Sequence, residues 1–198
     1  RVSLQHARGR IDGERFVAAG MAPGCLRLVV QSVTGMPAAT LACDEAWYYL
    51  LLHAEGEFHK KPLGRGSLKR LLGIDINCPE LFALLVGRVP LKPFGAARRL
   101  EAGPGEPWGL ELQTVEGRGV QRLFGDAATG RPVRYERLDG DGGLEFQVRF
   151  GHMVPLGNYR RPAYVEIGSS AATARIEIRQ MSADDPLPPD VFRIEAPP

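Results

Sequence analysis

The sequence predicts a mainly β (α+β) fold: a curled antiparallel sheet or barrel covered by a few short helices. Three observations point there. Short β-type runs recur at near-even spacing along the chain, separated by turns rich in Gly, Pro and Asp. One run, Ala46 to His53 (AWYYLLLH), is apolar on both faces, as a strand covered on both sides must be. Only one stretch, Ser67 to Leu91 (SLKRLLGIDINCPELFALLVGRVPL), reads convincingly as helix, and β-type sequence flanks it on both sides.

The strands follow in order. Val2 to Ile11 and Arg15 to Met21 flank Asp12-Gly13, a hairpin-type turn signal. Cys25 to Val33 alternates, with Leu26, Leu28 and Val30 on one face and Arg27, Val29 and Gln31 on the other. Thr34 to Pro37 turns into Ala38 to Cys43, and Asp44-Glu45 turns into the strand from Ala46. That strand sets Trp47, Tyr49 and Leu51 against Tyr48, Leu50 and Leu52. Ala54 to Gly56 leads to Glu57 to Lys61.

The helical insert comes next. Ser67 is an N-cap for a short helix through Leu71 and Leu72, stopped by Gly73. Asn77 caps a second helix. Pro79 falls in its first turn, and Glu80 stands where a capping-box carboxylate belongs. Leu81, Leu84 and Leu85 recur at helical spacing, and Phe82 and Val86 widen that face. Gly87 takes the C′ position, and Pro90 prevents continuation.

Further strands are expected over Arg98 to Ala102, Trp108 to Thr114, Val120 to Phe124, Val133 to Leu138 and Leu144 to Phe150. Ala163 to Ile167 and Thr173 to Met181 complete the set, and the tail DDPLPPDVFRIEAPP holds one short strand between prolines. No internal repeat or low-complexity linker divides the 198 residues, so one domain over 1–198 is expected, with the helical insert at about 67–87.

A hydrophobic content of 44% and a charged content of 24% are those of a soluble globular chain. The net charge of +2 is unevenly spread. Between Lys60 and Arg99 nine Lys or Arg face only Asp75 and Glu80, a local +7 that leaves the rest at −5. This region is either solvated surface or a contact for anionic lipid headgroups or an acidic partner. Nucleic acid is disfavoured, because no aromatic stacking pattern accompanies the charge. Cys25, Cys43 and Cys78 have no metal-ligand spacing and leave at least one thiol unpaired in a monomer. Pairing of the strands would bring Cys25 and Cys43 near each other, though not directly opposite. No apolar run approaches transmembrane length. The chain opens at Arg1 on a strand-like run without a signal peptide, so a trimmed leader is expected.

Catalytic signatures are largely absent. The histidines at 6, 53, 59 and 152 are scattered. Only His53 and His59 lie across one hairpin, and two His without a third ligand read as surface residues. Asp139-Gly140-Asp141-Gly142-Gly143 resembles the start of a calcium loop, but Phe150 stands where a bidentate Glu is needed, so a hairpin turn is expected. GxSxG, P-loop and HExxH motifs are missing. The reading is therefore of a non-enzyme with no cofactor and no metal.

The helical insert resembles the corresponding segment of the LolA/LolB-like lipoprotein-carrier superfamily, and more specifically its LolB-like outer-membrane lipoprotein branch. Upstream, RLVVQSVTGMPAATLACDEAWYYLLLHAEGEFHKKPLG is similar to that branch's pattern of strand, Gly-Pro turn, strand, acidic turn and aromatic strand. Downstream, RPAYVEIGSSAATARIEIRQMSADDPLPPDVFRIEAPP is similar to the family's ending, closing on Phe192 and a Pro. The weakest match lies between Arg98 and Phe150. The resemblance implies an unclosed half-barrel whose hollow, apolar face is covered by helices and takes lipoprotein acyl chains. It also implies an N-terminal helix and, in the receptor type, a lipidated Cys; both are missing here and would have left with the leader. The carrier's lid-locking Arg cannot be assigned to one position, and the turn at Met36 is a weak stand-in for the receptor's projecting apolar loop.

The expected lining comes from several elements. Leu28, Val30, Trp47, Tyr49 and Leu51 belong to the first strands, and Leu81, Leu84 and Leu85 to the helix. Leu110, Leu112, Phe146, Val148, Ile176 and Ile178 belong to the later strands. The same residues would also serve as a close-packed core. Trp47 and Tyr49 suit a cavity mouth, because their rings are amphipathic. The function expected is binding of a lipid, or of lipoprotein acyl chains, without chemistry. The setting is the bacterial periplasm or the periplasmic face of the outer membrane, for lipoprotein localisation or envelope biogenesis, by a monomer. The alternative is an envelope sensor or assembly protein that uses the same fold to bind a partner protein.

Overall fold

The structure is a computed structural model. It describes residues 2–6, 9–21, 24–32, 34–63, 68–69, 73–101, 108–115 and 119–196, with side chains from residue 18 onward. The first six strands are β1 (Val2–His6), β2 (Gly9–Met21), β3 (Cys25–Gln31), β4 (Pro37–Cys43), β5 (Trp47–Leu52) and β6 (Glu57–Pro62). The helix α1 (Cys78–Leu85) follows. After it come β7 (Phe94–Leu100), β8 (Trp108–Thr114), β9 (Val120–Gly125), β10 (Pro132–Leu138) and β11 (Leu144–Phe150). A hairpin of β12 (Met153–Leu156) and β13 (Tyr159–Pro162) precedes β14 (Tyr164–Gly168) and β15 (Ala172–Glu177).

Thirteen strands form one antiparallel sheet in the order β6-β5-β4-β3-β2-β1-β15-β14-β11-β10-β9-β8-β7, and β12-β13 stands apart. The edges, β6 and β7, do not pair with each other, so the sheet is not closed. Its curvature follows from what α1 touches. α1 packs against β3, and its Glu80 forms an ion pair with Arg137 of β10. Six strand spacings separate β3 from β10, about 29 Å in a flat sheet. A helix only about 10–12 Å across cannot span that distance. The sheet therefore bends around α1, and the helix lies on the hollow side.

Period-two alternation sorts every strand into an inner and an outer face. On the inner face Leu28 pairs with Leu41 and Leu41 with Leu50, while Leu26 pairs with Cys43 and Cys43 with Tyr48. On the far side Tyr135 pairs with Val148, Val148 with Ile167, and Ile167 with Ala174. The outer face of β3 carries Arg27, which donates to the Val191 carbonyl at 2.9 Å. There the chain ends in a 3-10 turn, Pro189–Phe192, with Phe192 buried. Arg193 lies 3.3 Å from Asp44, which also accepts from the Tyr49 hydroxyl at 3.2 Å. Strand β5, next to the edge strand β6, is thus covered by the core on one side and meets the tail on the other, which explains its apolar residues on both faces.

Several expectations need correction. Asp12-Gly13 is no turn: β2 runs through it, and the register steps from Val2↔Glu14 to Ser3↔Asp12. Gly13 is the extra residue of a β-bulge, another position that Asp-Gly suits. Cys25 and Cys43 are neighbours, as expected, and lie on opposite faces, because Cys43 pairs with Leu26 and Cys25 is one residue out of step. Cys43 instead meets Cys78 at the start of α1. The last strand is shorter than expected, ending at Glu177, and β7 begins earlier, at Phe94. In the tail, the short expected strand is the 3-10 turn. The hairpin β12–β13 was not foreseen. For the short helix expected from Ser67, residues 67 and 70–72 lie outside the described residues. Lys69 is helical and its carbonyl accepts from Gly73, 2.8 Å away.

Candidate functional site

Helix α1 is built as its sequence dictates. The Asn77 side chain accepts from the Glu80 N–H at 2.9 Å, and the Glu80 carboxylate accepts from the Asn77 N–H at 2.9 Å. This is the reciprocal capping box. At the other end Gly87 adopts φ +77°, a left-handed conformation that ends the helix where glycine costs least.

The N-terminal end of α1 is sealed. Cys78, Leu81 and Leu84 are fully buried. Glu80 forms an ion pair with Arg137, which stands on the inner face of β10 and is itself buried. Arg137 Nε also lies 2.5 Å from Glu145 of β11. Burial works against the charge on Arg137, but Glu80 and then Glu145 hold its pKa above the ordinary guanidinium value. The segment after α1 is fixed as well. Buried Gln121 of β9 accepts from the Lys92 N–H at 2.7 Å and donates to the Lys92 carbonyl at 3.0 Å. The Tyr135 hydroxyl donates to the same Gln121 oxygen at 3.0 Å. Burial pushes the Tyr135 phenol above its usual range, so it remains a donor. At Cys78 the hydrogen bond with Cys43, and then burial, raise the thiol pKa far enough to keep it inert.

The C-terminal end of α1 opens onto a cavity of about 1400 Å³. One wall is the end of β2 with Leu28 of β3. The helix contributes Leu81, Phe82, Leu85 and Val86. Ile176 of β15 and Ile178 beyond it add to the lining, with Met153 and Leu156 of the β12–β13 hairpin. Residues 179–185 and Leu187 of the tail line the opening, and Arg88, Arg131, Arg160 and Arg161 lie around it. The volume exceeds the roughly 300–1,000 Å³ of ordinary small-molecule pockets. Gly20 sets the approach of helix to sheet: a Cβ there would stand 2.5 Å from the Phe82 ring.

The expected lining residues divide into three groups. Leu28, Leu81, Leu85, Ile176 and Ile178 meet in the cavity. Leu84, Phe146 and Val148 lie in the solid core at the sealed end, while Val30 and Leu112 are buried outside that cluster and Leu110 is half-buried on β8. Trp47, Tyr49 and Leu51, expected at the cavity, stand on the outer face of β5 instead. Alternation assigns the inner face to Tyr48 and Leu50, whose partners Cys43 and Leu41 belong to the core. Trp47 is 38% exposed, with the Lys60 ammonium 4.5 Å above its ring. The sequence reading did not include the hairpin or the ring of arginines. Gly157-Asn158, a two-residue turn between short runs, was the available signal for the hairpin.

Among the described residues, no group of three or more His, Cys, Asp or Glu could hold a metal ion. His53 bonds to Thr40 at 2.8 Å rather than to His59. Asp139 accepts from the Asp141 and Gly143 N–H groups at 3.0 and 2.7 Å, so the DGDGG segment is a self-bonded hairpin turn. Among the same residues, no helix is long and apolar enough to cross a membrane.

No family model and no curated protein matches the chain. Solved structures do. A LolA superfamily protein from Nitrosomonas europaea superposes with a TM-score of 0.64 at 12% identity, covering 98% of this chain and 87% of that one. A DUF1329 family protein from Desulfovibrio piger gives 0.62 at 11% identity, over 97% and 86%. A domain assigned to outer membrane lipoprotein sorting from Vibrio parahaemolyticus gives 0.58 at 13% identity, over 96% and 86%. An unclosed antiparallel sheet curled around a helix, matched over nearly its full length by these structures, is the LolA-like fold, and this chain has it.

Proposed function

We propose that this protein binds a lipid, or the acyl chains of a lipoprotein, in the cavity at the C-terminal end of α1, and does so without chemistry. One observation carries the reading: about 1400 Å³ of space whose apolar part is lined by side chains of the helix, β3, β15 and the hairpin, with charged residues making up much of the rest. Each acyl CH₂ buried there contributes about 0.8 kcal/mol, so shape and apolar lining suffice for tight binding. Leu28, Leu81, Leu85, Ile176 and Ile178 are the contact residues. The packed residues Leu84, Phe146 and Val148 support the wall. The lipoprotein-sorting relative in Vibrio parahaemolyticus supports a role in lipoprotein localisation or envelope biogenesis. On this reading the protein works in the periplasm or on the periplasmic face of the outer membrane, as a monomer of LolB-like type. The basic 60–99 region would meet the anionic membrane surface.

The test is to fill the space. Leu28→Trp and Ile176→Trp each place a large ring in the cavity. Uptake of a fluorescent fatty acid should fall about tenfold in either variant, while the thermal melt shows a folded protein. Undiminished uptake by both would remove the cavity from the account. The second reading, a sensor or assembly protein, is favoured by the edge strand β7, whose first residue Phe94 and the preceding Leu91 are each 46% exposed. On that reading both tryptophan variants keep full function.

A further inference from the structure

The cavity mouth gathers arginines that have no carboxylate partner among the described residues. Arg98, Arg122, Arg134, Arg137, Arg175 and Arg193 each have a carboxylate partner. Five arginines line the cavity: Arg88, Arg131, Arg160, Arg161 and Arg179. Among the described residues none of the five forms an ion pair. Two of them spend donors on the main chain. Arg160 donates to the Met153 carbonyl at 3.3 Å. Arg161 donates to the carbonyls of Pro162, Ile178 and Arg179 at 3.2, 2.8 and 3.3 Å. Carbonyls orient a guanidinium but leave its charge uncompensated. Glu177, Asp184 and Asp185 share the lining, and Glu177 already lies 3.9 Å from Arg175. Positive charge is therefore in excess where the apolar space opens.

The topology gathers these residues at one rim. Arg131 precedes β10, Arg179 follows β15, and the β12–β13 hairpin bearing Arg160 and Arg161 joins β11 to β14 at that same rim. Arg88 follows Gly87, where a Cβ would lie 3.1 Å from Pro162 and 3.2 Å from Met153 of the hairpin. Exposed Arg99 and Arg149 lie outside the cavity.

We propose that the occupant is an amphiphile with a negatively charged phosphate headgroup, its chains in the apolar cavity and its phosphate held by the rim arginines. This rests on the lipid-binding reading above and narrows its ligand class. Guanidinium forks match phosphate oxygens bidentately, and several around one opening suit a multiply charged group. A free phosphate would leave the apolar part of the cavity unfilled, so the chains of an amphiphile add to its binding.

The experiment loads delipidated protein with dioleoyl phosphatidate, dioleoyl phosphatidylcholine or dioleoylglycerol, which share their chains and differ in head. Inorganic phosphate is titrated separately. Phosphatidate should bind about tenfold more tightly than either other lipid, and inorganic phosphate far more weakly than phosphatidate. The double variant Arg88→Gln/Arg131→Gln changes two exposed side chains outside the fold's core. It should reduce the preference to about threefold or less and leave dioleoylglycerol binding unchanged. Equal binding of all three lipids overturns the headgroup assignment and leaves lipid binding standing. So does a preference that survives in the double variant. Inorganic phosphate binding as tightly as phosphatidate overturns the amphiphile. Retention of no lipid at all overturns both this inference and the reading beneath it.

Discussion

Arg137 and Glu80 are the side chains that join the helix to the far arm of the sheet. Both are largely buried, so removing one leaves the other as an uncompensated charge in a poor solvent. Arg137→Ala should cost about 3 kcal/mol in chemical denaturation, and adding Glu80→Gln should recover part of that loss. Additive losses in the double-mutant cycle would show that the pair does not couple. Glu80 was legible from sequence only as a capping residue. Its partner, 57 positions away, required the fold. Asp44 is the second case. Burial works against its ionisation, but the Ala46 and Trp47 N–H groups, Tyr49 and Arg193 hold its pKa below the usual carboxylate range. A carboxylate depressed in the folded state stabilises the protein above its unfolded pKa, and the contribution is lost as pH falls through the lower folded value. The acid side of the stability profile should therefore flatten in Asp44→Asn, with about 1.5–3 kcal/mol lost near neutral pH. An unchanged acid limb would remove Asp44 from the anchoring of the tail.

Helix α1 was readable almost residue by residue. Asn77, Pro79, Glu80 and Gly87 are local signals, and each performs the expected task in the structure. Asn77→Ala should lower stability by about 1 kcal/mol, measured by urea unfolding. A neutral substitution would mean that packing alone holds the helix start. The β12–β13 hairpin shows the opposite. Its strands have four residues each and contain Pro155 and Pro162, which weaken a strand reading. It pairs only with itself, and its place beside the C-terminal end of the helix depends on where β11 ends and β14 begins. Strand β5 falls between these cases. Its two-sided apolarity was legible, but which face met the cavity depended on register. A one-residue change of phase exchanges Tyr48 and Leu50 for Trp47 and Tyr49.

Across the whole molecule, the sequence pattern predicts a curled antiparallel sheet with a helical insert, the family resemblance implies that the helix covers the hollow side, and the structure has both. Regular strand spacing and a single well-capped helix carry that information locally. The division of the hollow into a solid end and an open end is not local. It arises because Tyr135, Phe146 and Val148 fill the space beneath one half of α1, whereas small residues of β2, together with Leu28 and Ile176, leave space beneath the other. No periodicity distinguishes a leucine that packs from one that lines a void. The charged mouth is equally non-local, since its arginines come from four separate parts of the chain.

The central claim is that the open end holds acyl chains. Native mass spectrometry of the protein from a bacterial host tests it most directly. The account predicts a species heavier than the bare chain by the mass of a lipid, lost on organic extraction and much reduced in Leu28→Trp. A single species at the bare mass, with no lipid taken up when the protein is incubated with phosphatidate vesicles, would contradict it.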